Sequence, residues 1–376
     1  MALTLNAPRS ELLSALAALL NITGKKGTLA VLSNILLDSR DSGLLLTATD
    51  LEIGIRYLVP AEILSEGAIT LPARKFFELV RESGGDQIHL EEMDNSWARI
   101  TVDASAYNLA GIPAEEFPAF PLYQEENMVR MPAEIISDLI DKTIFSVAAD
   151  SENQFTMAGL LLEREILDEG HFLRLVSTDG HRLTMMERKV ESDLSVLNMD
   201  RIILVPRKGA QELRKLCEME ETISLGLEEK QMVIKINQGV MVIRLMNGDF
   251  PNYKMLIEAV DKSKHMVMER LPLMQSLKRV NIFTEDRFNS VHFFMEKHKL
   301  TLASQNMDIG NAKEEIVTTY EGEPMQLGFN GKYFIEALQV MESEKIKVYI
   351  NSEASPCLLQ GEKDRGYLSV IMPMKI

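Results

Sequence analysis

The chain has 376 residues, of which 46% are hydrophobic, and its 40 lysines and arginines stand against 56 aspartates and glutamates, a net charge of −16. This apolar content excludes disorder as the main state, and the length allows two or three domains with a core each. The longest apolar-leaning run, residues 12–22, is interrupted by Ser14 and Asn21 and is too short for a transmembrane helix.

The N-terminal residues and the cysteine content favour a cytoplasmic protein. Residues 1–6 lack the charged start and apolar core of an export signal. Two cysteines, Cys217 and Cys357, form no disulfide framework and lack zinc-site spacing. We therefore predict cytoplasmic localisation, no metal and no cofactor.

Two segments of the sequence occur three times and a third occurs twice, with copies about a third of the chain apart. Leu45 to Asp50 matches Leu175 to Asp179 and, more loosely, Leu302 to Asn306. A second marker follows each copy and contains Lys75, Lys208 or Lys332; it spans residues 71–79, 205–213 and 329–338. A third marker, Glu116-Phe117-Pro118, recurs as Asp249-Phe250-Pro251. These repeats predict three similar domains, residues 1–124, 125–259 and 260–376.

Each repeat shows the same order of predicted elements. Apolar residues at steps of three and four predict an opening amphipathic helix over residues 8–21, 132–147 and 271–283, with Pro8 and Pro132 in a first turn. Alternating stretches predict strands at 33–37, 43–49, 87–90, 98–102, 159–163, 172–177, 290–295 and 299–304. The second marker opens a second helix. The sequence thus predicts an α+β fold with six helices packed on antiparallel sheet.

Basic residues concentrate at one position of this pattern despite the negative net charge. The first turns of the second helices hold Arg74 and Lys75, then Arg207 and Lys208, then Lys332; Lys25 and Lys26 follow the first helix, and the third opening helix carries Arg270, Lys278 and Arg279. A single cluster of this kind is usually a solvated face, but its threefold recurrence favours a shared positive surface for duplex DNA.

Two motifs resemble enzyme signatures. The run Gly24 to Thr28 lacks the first glycine of a phosphate-binding loop. Asp179 and His181 have the spacing of an orienting acid and a base, but no nucleophile is apparent, and Asp50 and Asn306 stand at the same repeat position without a histidine. A turn-forming aspartate is the preferred interpretation; a hydrolase using Asp179 and His181 is the alternative.

The sequence resembles the family of bacterial sliding clamps, the β subunits of the replicative DNA polymerase III holoenzyme, along the whole chain. The resemblance rests on Thr47 to Glu52, Leu71 to Phe77, Ser177 to Leu183, Val205 to Gly209, Phe250 to Tyr253 and the terminal Val370 to Ile376. It implies a non-catalytic processivity factor. Two subunits would form a ring of six clamp domains around double-stranded DNA, without sequence specificity.

The resemblance also implies partners and site residues. A clamp loader complex would open the ring, and the replicative polymerase, repair polymerases or ligase would bind through short motifs containing Leu and Phe. Their pocket carries over to Met157, Thr178, Gly180, His181, Arg182, Leu183, Pro251, Met255, Leu256, Asn330, Tyr333, Pro356, Val370, Met372 and Met374.

The implied dimer contacts are Tyr107 and Leu109 on one side and Ile282 and Phe283 on the other. Periodicity alone would place the terminal apolar residues in a core instead of a pocket. Asp249 departs from the family pattern, in which an arginine is common. A specialised clamp serving repair or drug tolerance remains open as a third possibility.

Overall fold

The computed structural model describes residues 2–24, 29–148, 157–284 and 289–375. Lys25 and Lys26, predicted to contact DNA, lie outside the described residues, as does most of the rejected phosphate-loop motif. None of the described helices is long and apolar enough to cross a membrane.

The described residues of the first repeat form two α-helices and ten strands. They are β1 Thr4–Pro8, α1 Arg9–Leu20, β2 Asn34–Arg40, β3 Gly43–Thr49, β4 Ile53–Val59, β5 Glu62–Ser65, β6 Ala68–Pro72, α2 Ala73–Glu82, β7 Gln87–Met93, β8 Trp97–Val102, β9 Ser105–Ala110 and β10 Ile112–Pro113.

The second repeat follows the same order. Its elements are β11 Val129–Pro132, α3 Ala133–Asp141, β12 Gly159–Leu167, β13 Gly170–Thr178, β14 Arg182–Val190, β15 Ile203–Pro206, α4 Arg207–Cys217, β16 Thr222–Leu227, β17 Gln231–Ile236, β18 Gly239–Arg244 and the short α5 Tyr253–Glu258.

The third repeat has the same pattern again. Its elements are β19 Met266–Glu269, α6 Arg270–Val280, β20 Ser290–Glu296, β21 Lys299–Asn306, β22 Gly310–Val317, β23 Met325–Asn330, α7 Gly331–Gln339, β24 Lys345–Tyr349, β25 Cys357–Gly361 and β26 Leu368–Ile371.

The six predicted helices are present, but their starts and two ends needed correction. Pro8 and Pro132 are the last residues of strands β1 and β11, so each helix begins one residue later than predicted. Proline suits this position because its fixed φ is compatible with extended backbone. The helix predicted over 132–147 ends at Asp141, and the one over 271–283 ends at Val280; short 3₁₀ turns continue both.

The strands form four antiparallel sheets, two of which join consecutive repeats. A nine-stranded sheet has the order β10-β6-β2-β3-β4-β18-β17-β16-β11, and an eight-stranded sheet has the order β15-β12-β13-β14-β26-β25-β24-β19. The two smaller sheets are β5-β1-β7-β8-β9 and β22-β21-β20-β23. The joining pairs are β4 with β18 and β14 with β26.

Strand pairing divides the second repeat between two compact units. One unit contains Met1–Glu134, Ser195–Asn198 and Gln211–Leu245, and the other contains Ile135–Leu194, Met199–Ala210 and Met246–Ile376. In the first unit α1 packs on α2, and in the second α6 packs on α7. The compact units therefore do not coincide with the sequence repeats, because the joining sheets cross the repeat boundaries.

Candidate functional site

The same tight turn ends the second strand of each three-strand run in all three repeats. Asp179 Oδ1 accepts hydrogen bonds from the backbone N–H groups of His181 and Arg182, both at 3.0 Å. Asp50 accepts two such bonds in the first repeat, and Asn306 accepts one in the third. The preferred interpretation of Asp179 as a turn former is confirmed, since this pattern is an Asx turn.

The arrangement of this turn does not support the hydrolase alternative. The second oxygen of Asp179 accepts from Arg182 Nε at 2.9 Å, so both carboxylate oxygens have partners within the turn. The His181 side chain is exposed on the far side of a glycine whose φ is +84°. An acid occupied in this way does not orient a neighbouring imidazole as a base.

Arg182 is a buried cation with several partners, only 8% exposed. Its guanidinium donates to Asp179, to Glu336 and to the carbonyl oxygen of Phe145. It also lies over the ring of Tyr333, with 4.3 Å between its central carbon and the ring centroid. The network holds the start of β14 against α7 and fixes the Tyr333 ring. Sequence reasoning identified Arg182 and Tyr333 but missed Glu336 and Phe145, whose distance along the chain hid the contact.

Two predicted pocket residues belong to the hydrophobic core. Leu183 and Val370 are opposite each other in the β14–β26 pair and are 2% and 1% exposed. They pack in one cluster with Tyr253 of α5. Their burial agrees with what periodicity alone indicated, so they offer little surface of their own to a partner.

Other predicted pocket residues range from buried to exposed. Met372 follows β26, and its N–H donates to the carbonyl of His181 at 2.9 Å. The Met374 N–H donates to the carbonyl of Gly328 at 2.8 Å. Met255, on α5, is 64% exposed. Thr178 is buried and donates through Oγ1 to the Arg182 carbonyl.

The remaining members are in the same compact unit, on several elements. Asn330 caps α7 by accepting from the Lys332 N–H, and Pro356 directly precedes β25. Met157 accepts from the Ala148 N–H. Pro251 and Leu256 lie before and within α5.

The basic first turns occupy equivalent positions, with one change of register. Counted from each helix start, the second residue is Arg74 in α2, Lys208 in α4 and Lys332 in α7. The lysines of the second marker match Lys75 with Lys208 and Lys332, whereas the helix starts place Arg74 at that position. Arg74 and Lys75 are highly exposed and both contact Glu78, at 3.2 and 3.0 Å.

Arg207 is the first residue of α4 and is half-buried, whereas Lys208 and Lys332 are exposed. Arg270 has a different role from the one expected of it. Its guanidinium donates to the carbonyl of Leu338 in the last turn of α7 at 3.0 Å, and to that of Ser343 in the segment after α7 at 2.8 Å. It therefore caps a helix C-terminus, where a cation is favoured by the helix dipole.

The predicted dimer residues are exposed or partly exposed, one pair on an edge strand and the other in a turn that contacts the edge strand β22. Tyr107 and Leu109 are on β9, with Tyr107 44% exposed. Ile282 and Phe283 form the 3₁₀ turn after α6, and Ile282 is 65% exposed. Phe283 lies beside Gly310, the first residue of β22, where an added Cβ would meet its ring at 3.7 Å.

Comparison with known proteins identifies the fold. Profiles of the DNA polymerase III beta subunit match in three parts: the N-terminal domain at residues 1–121, the central domain at 130–252 and the C-terminal domain at 259–375. The chain is similar to the beta sliding clamps of Chlamydia pneumoniae (26% identity) and Vibrio cholerae (28%), in each case over 98% of both chains. It superposes on the beta sliding clamp of C. crescentus with a TM-score of 0.92, at 28% identity and over 100% of both chains.

These matches confirm the three-domain clamp fold and the internal repeat expected from the sequence. Proteins of this family are non-catalytic processivity factors, which confirms that the chain is not an enzyme and makes the hydrolase alternative wrong. From residue 1 to residue 375, the chain belongs to the DNA polymerase III beta subunit family of sliding clamps.

Proposed function

We propose that two copies of this chain close head to tail into a ring around duplex DNA, and that the ring holds a polymerase and other DNA-processing proteins at their substrate. The observation that carries the proposal is the pairing rule of the sheets. We call the strand pair that joins two consecutive repeats a seam. At each seam, the third strand after the first helix of one repeat pairs with the last strand of the next repeat: β4 pairs with β18, and β14 pairs with β26.

The third repeat and the first repeat each offer one half of a further seam. In the described part of the chain, β22 pairs only with β21, and β9 pairs only with β8. By their order in the repeats, β22 corresponds to β4 and β14, and β9 corresponds to β18 and β26. An open strand edge presents unpaired backbone donors and acceptors. Joining β22 of one copy to β9 of another would complete the pattern, and a twofold axis would repeat the joint and close the ring.

The two internal seams also give the register of the proposed joint. Ile53 is opposite Ile243 at the first seam, and Arg182 is opposite Ile371 at the second. Transferring these pairs by repeat position places Gly310 opposite Leu109 of the other copy. Leu109 would then lie near Phe283, whose ring is 3.7 Å from where a Cβ on Gly310 would stand. The register thus brings together the residues that the sequence predicted at the dimer interface.

Ring size supports two copies over one. Twelve helices of ~10 Å width around a hole leave an opening of roughly 28 Å, whereas six leave about 9 Å. A duplex whose grooves are each about 8 Å deep cannot pass through the smaller opening.

The placement of the basic residues supports DNA as the polyanion in the hole. Arg74, Lys208 and Lys332 stand in the first turns of their helices, where the helix dipole disfavours a cation. Such positions suit an external anion, because helix N-termini and basic side chains both attract phosphate. We assign Arg74, Lys75, Arg207, Lys208 and Lys332 to DNA contact.

The remaining assignments follow from the family. We propose clamp domains at 1–124, 125–259 and 260–376, a cytoplasmic location, and loading by a separate clamp loader complex. We also propose that partner motifs containing Leu and Phe dock around Met255, Met372 and Tyr333. The buried Arg182 network supports this, since it fixes the Tyr333 ring for an apolar partner.

Retention on closed DNA tests the ring. Loaded onto a nicked circular duplex, the protein should stay bound through gel filtration, and it should be lost once a restriction enzyme linearises the circle. Topological binding predicts this difference because escape needs a free end. Equal loss from circle and line would contradict the ring.

A charge variant separates encirclement from simple attraction. Replacing Arg74, Lys208 and Lys332 by Glu should slow loading and weaken the salt dependence of loading, since three phosphate contacts are removed. The matched replacement of Lys297, Lys345 and Lys363, which lie outside the helix starts, should leave loading unchanged. An equal effect of both triple variants would refute the assignment of the helix starts to DNA.

A further inference from the structure

We propose that the seam between the first and second repeats carries a second docking groove, which binds an extended peptide segment with alternating apolar and acidic side chains from a partner protein. The proposal rests on the proposed function, because its counterpart is the partner pocket at the seam between the second and third repeats.

A cavity of about 300 Å³ lies at the first seam, where β4 pairs with β18. Its apolar wall includes Leu51, Pro118 and Val242. A backbone hydrogen bond lies at the same position in both seams. Arg244 N–H donates to the carbonyl of Glu52 at 2.8 Å at the first seam, and Met372 N–H donates to the carbonyl of His181 at 2.9 Å at the second.

Repeat position relates the two grooves residue by residue. Counting from the Asx turns, the strand pairs and the Phe-Pro marker, the equivalent residues are Leu51 and Gly180, Pro118 and Pro251, and Arg244 and Met372. The cavity at the first seam is therefore the structural counterpart of the proposed partner pocket, formed by different side chains.

Leu51 is the first of two differences that point to a ligand. Its φ is +76°, in the left-handed region, and its side chain is 54% exposed at the edge of the cavity. The equivalent Gly180 adopts φ +84° without a side chain. Leucine in this conformation costs stability through both backbone strain and exposed apolar surface. An occupant that covers the side chain would recover part of that cost.

Charge is the second difference. Lys230 and Arg244, both exposed, line the cavity, and Glu52 is the acidic residue in its wall. Met372 occupies the equivalent position in the proposed partner pocket. The first seam therefore has a cation where the second seam has an apolar side chain. A basic rim beside an apolar wall in a chain of net charge −16 favours a partner segment with carboxylates next to apolar side chains.

Isothermal titration of the full chain tests the proposal with a defined probe, the acetylated and amidated peptide Glu-Leu-Glu-Leu-Phe. We expect two peptides per chain. Arg244→Glu should weaken one site about tenfold or more and leave the other unchanged, whereas Met372→Glu at the equivalent position should affect only the other site. The same peptide with Gln for Glu should lose affinity at the Arg244 site alone.

A second variant separates docking from folding. Leu51→Gly suits φ +76° and should preserve or raise stability, yet it should weaken the Arg244 site because the covered leucine is gone. One peptide per chain, lost in Met372→Glu and kept in Arg244→Glu, would overturn the second groove while leaving the ring and its partner pocket intact. One site lost only in Arg244→Glu would support the second groove and refute the partner pocket. No binding at about 1 mM peptide would overturn the second groove, and retention on circular DNA would still test the ring separately.

Discussion

Ile282 gives the most direct energetic test of the proposed ring. Replacing Ile282 by Ala removes three carbons from a side chain that is 65% exposed. At about 0.8 kcal/mol for each buried CH₂, their full burial is worth about 2.4 kcal/mol, and the exposed fraction gives about 1.6 kcal/mol at each joint. A head-to-tail ring contains two identical joints, so the variant should lose about 3 kcal/mol of dimerisation free energy, roughly a 100-fold rise in the dissociation constant.

Sedimentation equilibrium over a concentration series measures this constant directly. The matched control is Ile166→Ala, because Ile166 is 50% exposed on β12, a strand that belongs to a different sheet from β9 and from β22. At protein concentrations low enough for wild type and variants to be monomeric, both variants should unfold at the wild-type urea concentration, since neither isoleucine is in the core. If Ile282→Ala and Ile166→Ala have the same dissociation constant as the wild type, Ile282 is not at the joint.

Three further changes test the register, the buried arginine and the buried thiol. Tyr107→Cys with Ala312→Cys should form an intersubunit disulfide under mild oxidation, because the proposed register places these positions directly opposite each other, with Cα atoms about 4.5–5.5 Å apart. Tyr107→Cys with Asn311→Cys should not form one, since a shift of one residue turns the side chain to the other face of the sheet. Equal disulfide yields from the two double variants would reject the register. Arg182→Lys should lower the free energy of unfolding by about 2–3 kcal/mol in urea denaturation, because a lysine cannot contact the two carboxylates, the carbonyl and the aromatic ring at the same time. An unchanged unfolding midpoint would mean that the network does not contribute to stability. Burial raises the pKa of the Cys357 thiol above its ordinary value of 9.0. The stability that the protonated thiol contributes is therefore complete below about pH 9 and is lost as the pH rises towards the folded-state pKa. The difference in unfolding free energy between wild type and Cys357→Ala should shrink by about 1.4 kcal/mol from pH 8 to pH 10, and a constant difference would contradict this.

Local pattern was sufficient for the long elements and insufficient for the short ones. The opening helices and the central strands have clear periods of 3.6 or 2, so β3 was predicted to the residue and β20 and β21 to within two. The strands of four to six residues before each helix of a repeat pair, such as β1, are not predicted from the sequence because they are too short to show a period and pair with strands far along the chain. Helix α5 was missed for the same reason, since six residues make less than two turns.

The candidate site shows a similar division. The Thr-Asp turn recurs in the sequence, so Asp179 and Arg182 were recognisable. Glu336 was not singled out, although it stands at the same helix position as Glu78 and Glu212, because nothing local distinguishes a glutamate that pairs with its own helix from one that pairs with another repeat. Long-range ion pairs of this kind depend on packing and cannot be read from spacing.

The pairing rule explains why a repeated domain can produce both a closed ring and sites that differ along it. Each seam needs only an edge from one repeat and an edge from the next, so backbone hydrogen bonds set the assembly and leave the side chains beside the seam free to vary. The bond from Arg244 to Glu52 and the bond from Met372 to His181 are the same backbone contact, yet the side chains beside them are a cation in one seam and a thioether in the other. Substitutions at such positions should alter which segment binds without weakening the seam, whereas a proline in β26 at Ser369, whose side chain is buried, should disrupt the sheet itself.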